Sequence, residues 1–483
     1  MSVLKNFKKA PTLRPFLNIG CLFDIPTGTY LKGKHGESIL NGGLSYITGI
    51  GGRGNTYKST MAHFMVLRAM DRYLQSEAMV YDTEISLTMQ RLNHLARWMD
   101  TIGTKSEDAL PDLEETGRIM LTDKTVMMGN KWFDEYRSVL KERQKNRDKE
   151  MLTTPFVDKN GDCIKAMNPF LSEIDSLSQM DIEAVEDMYD KNEVGDSKLN
   201  TEALKGAAAK SQMLMQLPGL TGGGGGYLIL TAHMGDEHQL DPYAPPAKKL
   251  TFLKGKVKFK RVPENFTFLT NNCWFCNSAT VLLNQTNKTP EFPRGKDDDL
   301  KGDTDLMVIS LQNLRAKSGP TGLPMEIVVS QRDGVHVGLS EFYYLKNHNR
   351  YGLGGHDRAY YLELVPDISL QRTTVRGKID TEPKLQRALE ITSEMCQMRN
   401  LWHNLPVGLL VTPQELYEGL KAKGYDWDIL LTQTRGYWMF EEDADKEPKQ
   451  FLSTMDLLFM NAGKYHPWWY DKIAKADPKK KEG

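Results

Sequence analysis

A glycine-rich turn between two apolar segments is the feature that most limits what this chain can fold into. The turn, Gly49–Thr60, reads GIGGRGNTYKST; an apolar run from Leu44 precedes it and an amphipathic stretch from Met61 follows it. A strand, a glycine-rich turn and a helix in this order direct backbone N–H groups at an anion. Lys58 is spaced to reach the β- and γ-phosphates of a nucleotide, and Ser59 to bind Mg²⁺. The turn therefore predicts a nucleoside triphosphate site, with ATP and Mg²⁺ as the expected ligands.

The turn departs from the usual phosphate-binding pattern at one position. That pattern has a glycine directly before the lysine, whereas this chain has Tyr57, which narrows the backbone's freedom and brings a ring towards the nucleotide. The alternative interpretation is a glycine-rich hairpin followed by an ordinary helix. The residues expected to contact the nucleotide are Gly52, Arg53, Gly54, Asn55, Thr56, Tyr57, Lys58, Ser59 and Thr60.

The composition is typical of a globular chain, with 40% hydrophobic and 26% charged residues among 483. No apolar run approaches the ~20 residues that span a bilayer, and five cysteines, an odd number, favour a reducing, intracellular compartment. The net charge of −1 means that nucleic-acid binding requires a local basic patch. Cys273 and Cys276 form a lone C-x-x-C, which we interpret as buried structural cysteines; a redox pair or half of a zinc site is the alternative.

Short apolar strands alternate with helical stretches between residues 44 and 350, which indicates an α/β fold with a central, mainly parallel sheet. We divide the chain into an N-terminal arm (1–40), an ATPase core (41–365) and a mainly helical C-terminal domain (370–483). The polar segment 102–165 has a largely helical pattern. The five glycines at 222–226 are typical of a loop.

Polar residues follow three of the predicted strands. Glu84 comes shortly after a strand over 78–81, Asp175 directly after the next, and His233 after a third. In α/β sheets such residues lie at the carboxyl ends of the strands, beside the phosphate site. We therefore assign Glu84 to activation of water, Asp175 to the Mg²⁺ shell and His233 to sensing the γ-phosphate. Carboxylates that cap helices and a satisfied strand-end histidine are the alternatives.

A lysine-rich segment after His233 is the candidate nucleic-acid contact. It contains no acidic residue, and Phe252 and Phe259 are interleaved with its basic residues. Lysines contact phosphates and aromatic rings stack on bases, which suits single-stranded DNA; an exposed strand with a lysine-rich face is the alternative. The basic residues are Lys248, Lys249, Lys254, Lys256, Lys258, Lys260 and Arg261.

These motifs, taken in order, resemble the RecA/RadA-type recombinases. The turn, the segments 81–84 and 174–177, and Thr231-Ala232-His233 follow the family's sequence, and its T-even phage members also carry a bulky aromatic residue before the lysine. Residues 314–322 and 332–334 resemble the family's last core strands. The resemblance covers about residues 16–350. The lysine-rich segment is longer than the family's second DNA loop, and the region beyond 370 has no counterpart.

The resemblance implies a RecA-like P-loop ATPase core. It implies that Lys58, Glu84 and His233 act in hydrolysis, that Ser59 and Asp175 hold Mg²⁺, and that the loops after Asp175 and His233 bind DNA. Basic residues after the last core strands reach the neighbouring subunit's nucleotide in this family, and Arg315 and Lys317 are the matching positions. The N-terminal arm would then serve oligomerisation.

We therefore expect a DNA-dependent ATPase that forms filaments on single-stranded DNA and promotes homologous pairing, in the cytoplasm of a phage-infected bacterium. A ring-shaped DNA helicase and a DNA-binding scaffold that holds ATP without hydrolysing it are the alternatives, because a fold does not fix a function. The C-terminal domain would contact duplex DNA or a single-strand-binding or mediator protein. We expect no membrane partner.

Overall fold

The structure is a computed structural model of the full chain. It describes residues 13–183, 185, 187, 198–236, 252–253, 257–295, 300–356 and 358–476. No helix in these ranges is long and apolar enough to cross a membrane.

The described residues form nineteen strands and fifteen helices. The strands are β1 Thr29–Lys32, β2 Ser38–Asn41, β3 Ile47–Gly52, β4 Glu77–Asp82, β5 Ile119–Asp123, β6 Met151–Val157, β7 Cys163–Met167, β8 Phe170–Asp175, β9 Gly226–Asp236, β10 Val257–Phe259, β11 Asn272–Val281, β12 Leu306–Ala316, β13 Pro324–Ser330, β14 Gly334–Val335, β15 Leu353–His356, β16 Ala359–Leu362, β17 Val365–Leu370, β18 Thr434–Arg435 and β19 Gln450–Phe451. The helices are α1 Asp24–Thr27, α2 Lys58–Arg72, α3 Met89–Ala96, α4 Gly129–Lys145, α5 Arg147–Glu150, α6 Lys198–Gly224, α7 Phe266–Leu269, α8 Val337–Asn347, α9 Val375–Thr381, α10 Pro383–Leu401, α11 Pro413–Ala422, α12 Trp427–Thr432, α13 Glu441–Ala444, α14 Thr454–Asn461 and α15 Tyr470–Ala476.

A large sheet organises the molecule, with the strand order β14-β13-β12-β11-β3-β9-β8-β4-β5, and β10 paired to β9. The strands from β11 to β5 in this order are parallel, and β12, β13 and β14 extend the sheet antiparallel. The sequence prediction of an α/β fold with a central, mainly parallel sheet is confirmed. The strand that precedes the glycine-rich turn, β3, lies in the interior of the sheet.

The central strands are buried on both faces, because alternate residues enter two different apolar clusters. Along β4, Val80 joins the cluster that contains α2, whereas Tyr81 joins the cluster that contains α4 and α6. Along β9, Ile229 and Leu230 divide in the same way. This two-residue period places α2 on one face of the sheet and α4 and α6 on the other.

The region after residue 370 shares the first of these clusters with the core. Leu389 of α10 and Leu457 of α14 belong to the same buried cluster as Leu67 of α2. Most of this region is helical, in line with the sequence, and it also contains the short strands β18 and β19. The boundaries of the three proposed domains stay a prediction.

Two sequence expectations in the core are wrong in detail. Residues 222–224 end the long helix α6 and do not form a loop, because Gly224 packs so closely on α4 that a Cβ atom would lie 2.7 Å from the carbonyl oxygen of Leu140. The segment 102–165 is less helical than its pattern suggests, since it contains β5, β6 and part of β7 besides α4 and α5.

Candidate nucleotide and DNA site

The predicted order of strand, turn and helix is present, but the turn is shorter than the sequence suggests: Gly49–Gly52 belong to β3, Lys58–Thr60 begin α2, and only residues 53–57 connect the two. Tyr57 takes the left-handed conformation at φ 61° and ψ 24°, which is the conformation that a glycine would supply at this position. The turn closes on itself, because the Thr56 hydroxyl donates to the carbonyl oxygen of Arg53 at 2.9 Å. A Cβ atom on Gly52 would lie 2.4 Å from that hydroxyl, so the turn requires glycine there.

The first turn of α2 is open to an anion. Tyr57 provides no side-chain cap, and around Gly54 the structure leaves space, with no atom within 4 Å of a Cβ built there. Uncapped N–H groups and the positive end of the helix dipole both favour a phosphate. Lys58 is buried in this first turn, with its side chain 7% exposed.

The sheet register brings the predicted catalytic residues to this same edge. Gly52 at the end of β3 pairs with His233 of β9, and Asp82 at the end of β4 pairs with Asp175 of β8. Since these strands are parallel, their carboxyl ends meet beside the turn. Glu84 follows Asp82 by two residues, so it lies at this edge as well.

Glu84 is the centre of the cluster at this edge. Its Oε1 atom lies 2.6 Å from Nε2 of His233, 3.1 Å from Oγ of Ser176 and 3.9 Å from Nζ of Lys58. Burial acts to raise the pKa of Glu84, but the Lys58 charge and the His233 hydrogen bond outweigh it and hold that pKa below its usual value. Glu84 is therefore ionised at neutral pH, as a base that activates water must be.

The loop that carries Glu84 is fixed from two sides. The Asp82 carboxylate accepts hydrogen bonds from the backbone N–H groups of Glu84 at 2.8 Å and Ser86 at 2.6 Å. The Thr83 hydroxyl donates to the carbonyl oxygen of Ser176 at 2.8 Å and accepts from its N–H at 2.7 Å. The loops after β4 and β8 therefore hold each other in place.

Asp175 is buried at the end of β8, where its Oδ1 accepts a hydrogen bond from the Thr231 hydroxyl of β9. Among the described residues no hydrogen bond reaches its Oδ2, which leaves one carboxylate oxygen for a cation. The hydroxyl of Ser59 and this carboxylate are hard oxygen donors of the kind Mg²⁺ prefers. The residues at this edge thus fit a nucleotide with Mg²⁺: Lys58 and the α2 N-terminus for phosphate, Ser59 and Asp175 for the ion.

An ion pair lies deeper under the same helix. Nδ1 of His63 lies 2.7 Å from Oε1 of Glu173, and both side chains are buried. Burial alone would lower the pKa of His63, but the Glu173 carboxylate outweighs it and raises that pKa. His63 is one helical turn after Ser59, and Glu173 is two residues before Asp175 on the same face of β8. The pair therefore connects the two elements that carry the proposed Mg²⁺ ligands, and the sequence analysis missed it.

The segment after His233 returns to the sheet as a hairpin. Strand β10 pairs antiparallel with the end of β9, and it buries Val257 while Lys258 is exposed. Lys260 and Arg261 are exposed beyond it. At Lys258 this agrees with the exposed strand that the sequence offered as an alternative, and contact with DNA stays a prediction. Lys248, Lys249, Lys254 and Lys256 lie outside the described residues.

A serine that the sequence analysis missed connects this hairpin to the catalytic edge. Oγ of Ser178 accepts from the N–H of His233 at 2.8 Å and donates to the carbonyl oxygen of Lys260 at 2.8 Å. The N–H of Lys260 in turn donates to the carbonyl oxygen of His233 at 2.9 Å. The only local signal for Ser178 was a polar residue after a buried strand, because its partners lie 55 and 82 residues further along the chain.

Two predicted site residues lie elsewhere in the same chain. Arg315 of β12 lies opposite Cys273 of β11, and Cys273 lies opposite Gly49 of β3. Gly49 is three residues before Gly52, where β3 ends beside the phosphate-binding turn. Lys317 follows on the same side, and burial together with the Arg315 charge lowers its pKa. The structure thus does not bring Arg315 and Lys317 to the Lys58 cluster of their own chain.

Cys273 and Cys276 are buried and unbonded, and burial raises both thiol pKa values to about 12. A thiol at that pKa is a poor nucleophile and metal ligand at neutral pH. The interpretation of these cysteines as packing residues is confirmed.

Comparison with known proteins adds no argument about this chain. No protein-family model matches the chain, and no curated protein matches its sequence. A crystal structure of the RadB recombinase is similar over 61% of this chain and 92% of that one, with 15% identity and a TM-score of 0.31. At these values the similarity assigns no activity to this chain, so the functional argument depends on the geometry of the site.

Proposed function

We propose that this chain is a RecA-like P-loop ATPase of recombination and repair, of the T-even phage type, which binds single-stranded DNA with ATP and Mg²⁺. The observation that carries the proposal is that Lys58, Glu84 and His233 lie at one edge of a parallel sheet. Nζ of Lys58 and Nε2 of His233 are both within 3.9 Å of Oε1 of Glu84. These are the three parts that hydrolysis of a phosphoanhydride needs: a phosphate-binding cation, a base and a group that senses the γ-phosphate.

In the proposed reaction, Lys58 and the N–H groups of the α2 N-terminus bind and orient the triphosphate. Glu84 takes the proton of the attacking water, and the hydrogen bonds of its neighbours hold it in the ionised form. Mg²⁺ would neutralise charge on the phosphate oxygens. His233 donates to Glu84 here, and a γ-phosphate beside Lys58 offers it a second acceptor.

The hydrogen bonds of Ser178 supply a route from nucleotide to DNA. A movement of His233 displaces Lys260 through both the direct backbone bond and the Ser178 bridge, so the basic hairpin and the catalytic edge respond to each other. This is a coupling of two sites, and it requires that DNA affinity depend on the bound nucleotide.

The positions of Arg315 and Lys317 support an oligomer. Because they lie away from the Lys58 edge in their own chain, a role at the nucleotide requires a neighbouring subunit, and a filament on DNA supplies one. Electron microscopy with a non-hydrolysable ATP analogue, with and without single-stranded DNA, tests this. We expect helical filaments that need both ligands, with Lys58→Ala as the negative control.

Closed rings that form without DNA would overturn the filament and favour the helicase. Discrete monomers in every condition, with ATP still bound, would overturn the oligomer and leave a nucleotide-binding scaffold. Duplex DNA and a single-strand-binding or mediator protein remain the proposed partners of the C-terminal region, and the proposed setting is the cytoplasm of an infected bacterium.

A further inference from the structure

A second cavity, lined by residues other than those of the phosphate-binding turn, lies between the core and the region after residue 370. Its volume is about 950 Å³, within the range of small-molecule sites. Its walls come chiefly from the second half of α2, the loop after α3, the segment 333–341 with the start of α8, α9, α10 and the segment 434–449. None of the residues 52–60 lines it, so it is separate from the phosphate-binding turn.

Besides Arg376, which pairs with Asp305, four arginines whose side chains are mostly buried line this cavity, and Arg68 is the most exposed of them at 14%. They are Arg68 and Arg72 of α2, Arg387 of α10 and Arg435 of β18. Arginine is seldom buried unless it is paired, because removing a charge from water is costly. Four such groups in one cavity therefore require a comparable number of anions.

Among the described residues, carboxylates lie within 4.0 Å of only three of them. Arg68 lies 2.6 Å from Asp71, and Arg387 lies 2.5 Å from Glu390. Arg72 has only distant partners, with Asp24 at 3.5 Å and Glu390, which it shares with Arg387, at 4.0 Å.

Arg435 has no carboxylate within 4.0 Å among the described residues, although it is only 7% exposed. Its Nη1 donates to the carbonyl oxygen of Tyr437 at 2.8 Å, and burial lowers its pKa. Glu341 is another residue of the cavity wall, and burial, with Glu390 and Glu394 nearby, raises its pKa well above its ordinary value.

We propose that this cavity is a binding site for a small phosphorylated molecule. Planar guanidinium groups bind phosphate oxygens through paired, charge-assisted hydrogen bonds, and an anion beside Arg435 would supply the missing compensating charge. Tyr437, which lies within 6 Å of both Arg72 and Arg435, and the half-exposed Trp98 give the cavity apolar walls for the rest of such a ligand. The site is independent of the proposed ATPase function.

Inorganic pyrophosphate is the probe, and isothermal titration calorimetry in phosphate-free buffer is the measurement. Because the phosphate-binding turn also takes pyrophosphate, the titration uses the full chain carrying Lys58→Ala. We expect this variant to bind one pyrophosphate and to melt at a higher temperature in its presence. Adding Arg435→Gln should weaken binding about tenfold or more, as expected for loss of a charged hydrogen-bonding partner.

A second variant keeps the test decisive if Arg435→Gln fails to fold. Lys449→Gln changes a half-buried residue at the cavity wall and should weaken binding about threefold, the size expected for a partly exposed charge. Lys423→Gln, an exposed lysine after α11, is the matched control and should leave binding unchanged. Absence of pyrophosphate binding to the Lys58→Ala chain, or equal binding by the folded cavity variants and the control, would overturn the proposal.

Discussion

Replacing Glu84 by glutamine separates nucleotide binding from hydrolysis at the proposed site. Glutamine keeps the size of the side chain and an oxygen that accepts from His233 and Ser176, but it cannot take a proton from water. We expect ATP turnover to fall roughly 10²–10⁴-fold, the usual contribution of a positioned general base. The same change should tighten ATP binding, because it removes a negative charge 3.9 Å from Nζ of Lys58.

The size of the second effect follows from that distance. Two unit charges about 4 Å apart interact by about 1 kcal/mol in water and ~4 kcal/mol at the effective dielectric of a protein surface. Since Glu84 is 29% exposed, solvent screens the pair and the lower figure applies. Freeing Lys58 for the phosphates should therefore tighten ATP binding by roughly fivefold.

Steady-state ATPase assays with single-stranded DNA and a titration with a fluorescent ATP analogue measure the two effects. Glu135→Gln, an exposed carboxylate on α4, is the charge-matched control. Turnover within a few-fold of the parent would refute the assignment of Glu84 as the base and favour the non-hydrolysing scaffold. If turnover falls as expected but ATP binding becomes weaker, only the electrostatic argument about Lys58 would be refuted.

Three further changes test other parts of the structure. Tyr57→Gly should retain ATP binding, whereas Tyr57→Val should bind ATP about tenfold more weakly. The reason is that a β-branched residue at φ 61° costs ~1–2 kcal/mol. Equal affinities of the two variants in the nucleotide titration would contradict this. Ser178→Ala should lower the free energy of unfolding by about 1–3 kcal/mol, since His233 and Lys260 each lose a hydrogen-bond partner. It should also reduce the stimulation of ATP hydrolysis by DNA more than the basal rate of hydrolysis. Unchanged stimulation in the ATPase assay would count against the Ser178 bridge between His233 and Lys260. Burial and a neighbouring carboxylate raise the pKa of Glu394 to about 8, above its ordinary 4.5, so the stability it contributes is complete below pH 4.5 and declines as the pH rises to 8. Between pH 6 and pH 8 the parent should therefore lose about 2 kcal/mol relative to Glu394→Gln in urea unfolding, and parallel pH profiles would exclude this.

The edge of the sheet that carries the site could be predicted from sequence because strand order and strand ends are local signals. Glu84, Asp175 and His233 each follow an apolar run, and in a parallel sheet such ends meet. Which partners they choose is set by register across the sheet, as when Gly52 pairs with His233. The sequence therefore predicted that Glu84, Asp175 and His233 lie at one edge, but not that Glu84 contacts His233 and lies near Lys58, nor that Arg315 lies away from them.

The features that the sequence missed are contacts between distant residues without a pattern of their own. Ser178 and the pair of His63 with Glu173 contain ordinary residue types. Ser178 finds its partners at the end of β9 and just after β10, and the pair forms where α2 packs against β8. The guanidinium groups of the second cavity come from α2, α10 and β18, and α2 is over 300 residues away from the other two in the chain. Composition and periodicity carry no information about such encounters.

Strand β9 connects the separate parts of the proposed site. Its Thr231 bonds Asp175, its His233 bonds Glu84, and Asp236 at its end pairs with Arg53 of the phosphate-binding turn at 2.5 Å. The same strand is paired with β10, which carries the basic hairpin. Three side chains of one strand therefore contact residues of the proposed site, and that strand is hydrogen-bonded to its hairpin partner. The fold thus joins the nucleotide edge to the proposed DNA contact through backbone hydrogen bonds, and the Ser178 bridge strengthens that connection.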